Sequence, residues 1–141
     1  MNIYFSCSIT GGRSDQKIYQ TITELLLAHG HVVPTAHLAD SNILELEAIL
    51  SPEQTYLRDC QWVKDCNALV AEASTPSHGV GYEIALALFY RKPVLCCYQR
   101  GVRVSKMLTG NTSPGFSQLV YSTDEKLHQG LLAFLEKLKV T

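Results

Sequence analysis

The sequence predicts an α/β fold in which five parallel strands alternate with helices that cover both faces of one sheet. Short apolar runs alternate with helical patterns along the chain. The run at residues 68–71, Ala-Leu-Val-Ala, has the length and composition of a strand that is buried on both faces. A chain of 141 residues, 46% of them hydrophobic, has the size of one domain, so we expect residues 1–141 to form a single unit.

The first half of the chain supplies a predicted strand-helix-strand unit. Its helix has an apolar face that contains Ile18, Ile22 and Leu25, and Gly30 suits the left-handed conformation that ends many helices. The pattern from residue 34 to residue 50 is less regular. The predicted elements of this half, in chain order, are a strand at 3–7, a helix at 15–28, a short strand at Val32–Val33 and a short helix at 43–49.

The second half begins with a strong helix start. Ser51 suits the N-cap, Pro52 the first helical position, and Gln54 completes a capping box. A second cap, in residues 122–125, precedes a final helix with a leucine-rich side. The predicted elements are a helix at 51–65, strands at 68–71, 94–98 and 119–121, a helix at 84–90, a loop at 99–115 and the final helix.

This alternation predicts a flavodoxin-like or Rossmann-like sheet with strand order 2-1-3-4-5. Ligands of such sheets bind outside the carboxyl ends of the strands, where the strand order reverses. Here that point lies between the first and third predicted strands. The loops that meet there are residues 6–13 and 73–83, and both are rich in glycine, serine and threonine. We therefore expect their amides and hydroxyls to bind a phosphate.

One stretch in the second of these loops holds a candidate functional acid. Residues 74–83 read Ser-Thr-Pro-Ser-His-Gly-Val-Gly-Tyr-Glu and lead from a strand into a helix. Gly79 and Gly81 let a backbone approach a ligand closely, and Ser77 adds a hydroxyl beside a helix N-terminus that attracts anions. Glu83 is then a carboxylate next to a phosphate-sized nest. An acid in a first helical turn also stabilises the helix by itself, so these residues alone leave both roles open.

Composition excludes several classes of function. The net charge of −1 and the lack of a Lys/Arg cluster argue against binding to polymeric nucleic acid. No apolar segment has the length needed to cross a bilayer, and the first residues do not resemble a signal peptide, so we expect no membrane partner. The five cysteines show no zinc-binding spacing and are predicted to be reduced thiols. We expect an intracellular protein without a metal ion or a cofactor.

Three motifs, in order along nearly the whole chain, together resemble a known family. They are residues 4–9, Tyr-Phe-Ser-Cys-Ser-Ile, with the Gly-Gly-Arg that follows; Asp59 with Trp62; and residues 77–83, Ser-His-Gly-Val-Gly-Tyr-Glu. The combination resembles the 2'-deoxynucleoside 5'-phosphate N-hydrolases of the nucleoside deoxyribosyltransferase superfamily. The resemblance implies hydrolysis of the base–sugar bond of a deoxynucleoside 5'-monophosphate. It also implies a cytoplasmic protein, or a nuclear one if the source is eukaryotic.

The resemblance also implies roles for individual residues. Glu83 stands where the family keeps its nucleophile, Asp59 matches a second carboxylate that assists the departing base or positions the nucleophile, and Tyr4 matches a tyrosine near both. Ser105 matches a serine that reaches the phosphate site of a neighbouring subunit, so a homodimer is implied. The substrate-binding positions implied are Ser8, Ile9, Gly11, Gly12, Arg13, Ser77, Gly79, Ser105 and Met107.

The chain departs from the family at Thr10, where mammalian members carry an arginine near the phosphate. Residues 34–50 also fit the family poorly, which leaves the preferred base open. Two other functions remain open at this point. A deoxyribosyltransferase would use the same glutamate to pass the sugar to a second base, and a non-catalytic nucleotide-binding module would use Glu83 only to cap its helix.

Overall fold

The computed structural model describes residues 1–10 and 14–139. Gly11, Gly12 and Arg13, which the sequence analysis assigned to substrate binding, lie outside the described residues. The strands are β1 (Ile3–Ser6), β2 (Ala68–Glu72), β3 (Val94–Gln99) and β4 (Phe116–Tyr121). The helices are α1 (Gln16–Ala28), α2 (Ile43–Glu47), α3 (Pro52–Asp65), α4 (His78–Phe89), α5 (Lys106–Thr109) and α6 (Asp124–Lys139), with a short 3-10 helix at Ala36–Ala39.

The predicted parallel α/β architecture is confirmed, but the predicted number of strands is wrong. The described residues form a four-stranded sheet in the order β1-β2-β3-β4, with every pair parallel. The predicted second strand is reduced to a single bridge between Asn2 and Val32, on the other side of β1 from β2. Pro34 has no amide hydrogen to extend the ladder, and a 3-10 helix begins at Ala36. The chain therefore leaves the sheet after one contact.

Alternating strand residues pack against helices on opposite faces of the sheet. On one face Ile3, Phe5 and Val70 join the buried sides of α1 and α6. On the other face Tyr4 and Leu69 join the buried sides of α3 and α4. The sheet is therefore doubly wound, and the even-numbered residues of β1 point toward α3 and α4.

Several local predictions are confirmed. The backbone of Gly30 is left-handed, with φ of 75°. Ser51 and Gln54 form the expected capping box, in which the Gln54 amide donates to Ser51 Oγ at 3.2 Å and the Ser51 amide donates to Gln54 Oε1 at 2.9 Å. That cap begins α3, which ends at Asp65 as predicted. No helix in residues 1–10 and 14–139 combines the length and the apolar character that a bilayer span requires.

Two predictions of local structure are wrong in extent. The helix predicted at 84–90 begins at His78, because Ser77 acts as its N-cap and its Oγ accepts from the Val80 amide at 3.4 Å. Gly79 and Gly81 are therefore helical residues in the first turns of α4. The predicted loop at 99–115 contains the short helix α5, which begins after a second serine cap, Ser105. Both helices begin at a serine N-cap that was not predicted.

Candidate active site

A pocket opens where the carboxyl ends of β1 and β2 meet the N-terminus of α4. It has a volume of about 470 Å3 and is lined by residues of the β1 loop, the 3-10 helix, α2, α3 and α4, among them Ile9, Thr10, Leu38, Glu47, Asp59, Ser77, Gly79 and Glu83. A second, more apolar pocket of about 370 Å3 lies between α3 and α4 and also reaches Asp59, Gly79 and Glu83. A ligand can thus approach the two carboxylates from two sides.

Glu83 projects from α4 toward β1 and is held by two hydroxyl groups. Tyr4 Oη donates to Glu83 Oε1 at 2.8 Å, and Ser6 Oγ donates to Glu83 Oε2 at 2.5 Å. Tyr4 and Ser6 alternate along β1, so both side chains reach the same face of the sheet. Both donors are completely buried, whereas Glu83 keeps part of its surface on the pocket. The carboxylate is fixed in orientation and remains accessible.

The protonation of Glu83 is unusual for a carboxyl group. Burial raises its pKa to about 7, and the hydrogen bonds from Ser6 and Tyr4 oppose that shift. Tyr4 is correspondingly a poor acid, because burial and the neighbouring Glu83 charge raise its pKa far above the ordinary value. The hydroxyl of Tyr4 therefore stays protonated and acts as a hydrogen-bond donor. A carboxyl group with a pKa near neutrality in a cleft has the property expected of a catalytic group.

Asp59 lies on α3 and faces the same two pockets. Burial raises its pKa, and the adjacent Arg58 opposes this. Arg58 Nε donates to Asp59 Oδ1 at 2.8 Å, while no hydrogen bond within the described part of the chain reaches Asp59 Oδ2. One carboxylate oxygen is thus held and the other is available to a ligand. The charge of Asp59 also raises the pKa of Glu83.

A buried polar cluster holds the loop between β2 and α4 in place. Glu72, at the end of β2, is completely buried and accepts hydrogen bonds from Tyr121 Oη at 2.8 Å and from the Ser74 hydroxyl at 2.5 Å. Asp15, at the start of α1, accepts from Thr75 Oγ1 at 2.7 Å and from Gln99 Nε2 at 2.9 Å. The Gln99 amide also donates to Ser74 Oγ at 2.8 Å, so α1, β3 and β4 all contact residues 72–75. These hydrogen bonds fix the position of the segment that leads into α4.

Gly79 and Ser77 form the wall of the pocket at that N-terminus. A Cβ built on Gly79 would meet only Ser77 Oγ, at 3.7 Å, so the fold itself does not require glycine there. Gly79 is exposed and lines both pockets. Unfilled space beside a helix N-terminus with a serine cap suits close contact with an anionic group.

The other predicted binding residues fall into two groups. Ile9 lines the pocket of Glu83 with Thr10, whereas Ser8 is completely buried and is not part of the pocket wall. Ser105 and Met107 lie elsewhere, in a groove of about 570 Å3 along the opposite side of the α4 N-terminus. Met107 is 83% exposed. Within one chain the structure does not bring these two residues to Glu83.

Several residues that shape the site were not among the predicted site residues. Ser6 was recognisable, since it follows Tyr4 by two positions on one strand and must share its face. Arg58, Glu47 and His37 form a second set: Arg58 pairs with Glu47, which also contacts His37 Nε2 at 3.1 Å. No sequence pattern joins residues 37, 47 and 58, because their contacts depend on how the irregular segment 34–50 folds onto α3.

These features define a class of protein: a parallel α/β domain with a pocket at the carboxyl ends of β1 and β2 and a partly buried, hydroxyl-bound carboxylate in the pocket wall. Residues 3–126 match the nucleoside 2-deoxyribosyltransferase family. The chain belongs to that family, as the resemblance implied.

Individual relatives agree with this assignment, and a solved structure agrees with the fold. A provisionally named 2'-deoxynucleoside 5'-phosphate N-hydrolase 1 from Methanococcoides burtonii is 41% identical over 112 residues, which cover 79% of this chain and 92% of the relative. A 5-hydroxymethyl-dUMP N-hydrolase from Danio rerio is 38% identical over 129 residues, covering 89% and 90%. The structure of a CMP N-glycosidase from Clostridium botulinum has the same fold, with a TM-score of 0.71 at 19% identity, covering 95% and 99%.

Proposed function

We propose that this protein hydrolyses the N-glycosidic bond of 2'-deoxynucleoside 5'-monophosphates and releases the free base and 2-deoxyribose 5-phosphate. The observation that carries the proposal is the position of Glu83, a carboxylate fixed by Tyr4 and Ser6 and open to the pocket. The names of the relatives support the reaction and the monophosphate substrate. One of them also makes 5-hydroxymethyl-dUMP a specific candidate.

In the first step Glu83 attacks C1' of the sugar from the face opposite the base. The C1'–N bond breaks, its electron pair goes to the base nitrogen, and that nitrogen takes a proton from Asp59 or from water. Positive charge develops on the sugar as the base departs, and the Glu83 carboxylate stabilises it before the covalent bond forms. Tyr4 and Ser6 hold the carboxylate so that little reorientation is needed.

In the second step water replaces Glu83 at C1'. The water loses a proton to the group that served as acid, and the carboxylate is released for another cycle. The 5'-phosphate binds at the α4 N-terminus, where Ser77 and Gly79 line the pocket. Ile9, in the loop after β1, lines the facing side of the pocket. Gly11, Gly12 and Arg13 follow it in the sequence and stay proposed phosphate-binding residues. These contacts aim C1' at Glu83.

A panel of substrates tests the proposed function. Purified protein is incubated with deoxynucleotides, including 5-hydroxymethyl-dUMP, with ribonucleotides and with the corresponding nucleosides, and free base is measured by chromatography. We expect base release from the deoxynucleoside monophosphates and a loss of at least about 100-fold in kcat/KM for unphosphorylated nucleosides, since charge-assisted phosphate contacts are removed. Base exchange with nucleosides would establish a transferase, and nucleotide binding without turnover would establish a binding module.

The positions of Ser105 and Met107 lead to a second part of the proposal: the protein acts as a homodimer in which these residues complete the neighbouring site. Neither residue lines the Glu83 pocket of its own chain, and the groove that contains them also includes Ser77 and Gly81. Met107 is largely exposed in the single chain. An interface along this groove would bury that side chain beside the partner's phosphate site.

Mixing two inactive variants tests this arrangement. Ser105→Asp places a negative charge against the partner's phosphate, and Glu83→Gln removes the nucleophile, so each variant alone is expected to be inactive. In randomly mixed dimers half the molecules are mixed and one of their two sites is intact, which predicts recovery of roughly a quarter of the wild-type activity. Monomers by light scattering, or no recovery after subunit exchange, would contradict the shared site.

A further inference from the structure

Arg58 is held on three sides by its neighbours. Its Nε donates to Asp59 Oδ1 at 2.8 Å, and its Nη1 and Nη2 donate to Glu47 Oε1 and Oε2 at 3.1 and 3.0 Å. Its guanidinium carbon lies 4.7 Å from the centroid of the Trp62 ring. A two-pronged carboxylate pair combined with aromatic stacking fixes a guanidinium in both position and plane. Arg58 therefore has one well-defined orientation.

This arrangement differs from an ordinary surface ion pair. The side chains of Arg58 and Glu47 are only 21% and 15% exposed. Burial disfavours the charge of Glu47, yet the hydrogen bonds from Arg58 and His37 prevail and lower its pKa. Solvent screening is reduced at such a site, and the two-pronged geometry limits the motion of both side chains.

We propose that Arg58 and Glu47 are positioning residues for the reaction, which fix Asp59 so that its Oδ2 faces the departing base. This inference rests on the proposed function and assigns roles to two residues that do not react themselves. Arg58 orients Asp59 from the neighbouring position on α3, while Glu47 orients Arg58 from α2. Glu47 therefore affects Asp59 only through Arg58.

The same contacts tie a wall of the pocket to the catalytic acid. Glu47 is the last residue of α2 and lines the pocket together with Leu38 of the 3-10 helix. His37 contacts Glu47 and meets the Trp62 ring edge-on, with 6.1 Å between ring centroids. The segment from His37 to Glu47 is thus bound to α3 through Arg58 and Trp62. The orientation of Asp59 depends on this segment being in place.

The charges of Arg58 and Glu47 have opposite effects on the pKa of Asp59. The positive charge of Arg58 lowers the pKa of Asp59, and the negative charge of Glu47 raises it, while burial raises it most. Further polar groups lie around the carboxylates of Glu47, Asp59 and Glu83, the last of which comes from α4. They are Tyr4 and Ser6 from β1 and His37 from the 3-10 helix. An experiment can therefore distinguish the loss of the Asp59 orientation from the change in the Asp59 pKa.

Steady-state kinetics of Arg58→Gln and Glu47→Gln, measured from pH 5 to pH 9 with the preferred deoxynucleotide, tests the proposal. We expect kcat to fall about 10- to 100-fold in both variants, since small displacements of a catalytic group have costs of that order, with a much smaller change in KM. The pH profile should move toward higher pH in Arg58→Gln. In Glu47→Gln, the part of the pH profile that depends on the protonation of Asp59 should move toward lower pH.

Further variants separate positioning from charge and from folding. Arg58→Lys keeps the charge but loses the planar fork, so kcat should fall while the pH profile stays near that of the wild type. The double variant Arg58→Gln, Glu47→Gln should be no slower than Arg58→Gln alone, because Glu47 acts through Arg58. Lys64→Gln and Glu53→Gln change the same charges at exposed positions of α3 and should leave kcat unchanged.

Three results would overturn the proposal while leaving the function intact. They are wild-type kcat in both Arg58→Gln and Glu47→Gln, a rise of kcat in one and a fall in the other, or full activity in Arg58→Lys. Thermal unfolding of each variant identifies any that fail to fold, and the remaining variants then decide the question. A wild-type protein that releases no base from any nucleotide would contradict the proposed function instead.

Discussion

Glu83→Gln is expected to reduce kcat for base release by about four orders of magnitude, as for other enzymes that lose a nucleophile. Glutamine keeps the size of the side chain and can still meet the hydroxyls of Tyr4 and Ser6, so the variant should fold and bind nucleotide. It has no anion to attack C1' or to stabilise the charge on the sugar. The measurement is kcat by base release, together with nucleotide affinity by calorimetry.

Two further observations make this result specific to the carboxylate. Glu24→Gln, a matched change at an exposed position of α1, should have wild-type activity. For the wild type, kcat/KM should fall as the pH drops through about 7, since the pKa of Glu83 is raised to about 7 and only its ionised form can attack. Substantial activity in Glu83→Gln, or a rate that rises as Glu83 becomes protonated, would contradict its role as nucleophile.

Asp59→Asn is expected to lower kcat by about 10²- to 10³-fold, the usual contribution of a positioned proton donor. Asparagine can still accept the hydrogen bond from Arg58 Nε through its amide oxygen, so the geometry of the pair should persist. What is lost is the proton that neutralises the departing base. The KM should change little, because the loss occurs mainly in the transition state.

The choice of leaving group tests this interpretation of Asp59. A 7-methylguanine base departs as a neutral molecule without first accepting a proton, so Asp59→Asn should slow its release far less than that of an unmethylated base. Asp65→Asn, an exposed carboxylate on the same helix, serves as the control and should match the wild type with both substrates. Equal losses with both bases would show that Asp59 positions Glu83 instead.

Much of the fold was predictable because it depends on local signals. The cap at Ser51, the left-handed Gly30 and the buried apolar strands are specified within a few residues of each other. The predicted second strand failed for an equally local reason, since Pro34 ends the pairing after Val32. The early start of α4 was missed because two glycines obscured the helical pattern, although Ser77 is a favourable cap.

The sequence predicted those parts of the candidate site in which reactive side chains lie near the carboxyl ends of neighbouring strands. Tyr4 and Glu83 are 79 positions apart, and the parallel pairing of β1 with β2, which leads into α4, brings their segments together. The network of His37, Glu47 and Arg58 was beyond sequence reasoning, because each residue alone resembles a solvated charge. Only the packing of an irregular segment onto α3 reveals which charges meet. Ser105 and Met107 require a second chain before their proposed role has a geometric basis.

The stereochemistry of methanolysis tests the role of Glu83 most directly. With methanol added to the reaction, part of the sugar is captured as methyl 2-deoxyriboside 5-phosphate, and its anomeric configuration can be read by NMR. Attack by Glu83 and then by methanol inverts C1' twice, so a β-nucleotide should give the β-methyl product. The α-methyl product, which results from a single direct displacement of the base, would contradict a covalent Glu83 intermediate.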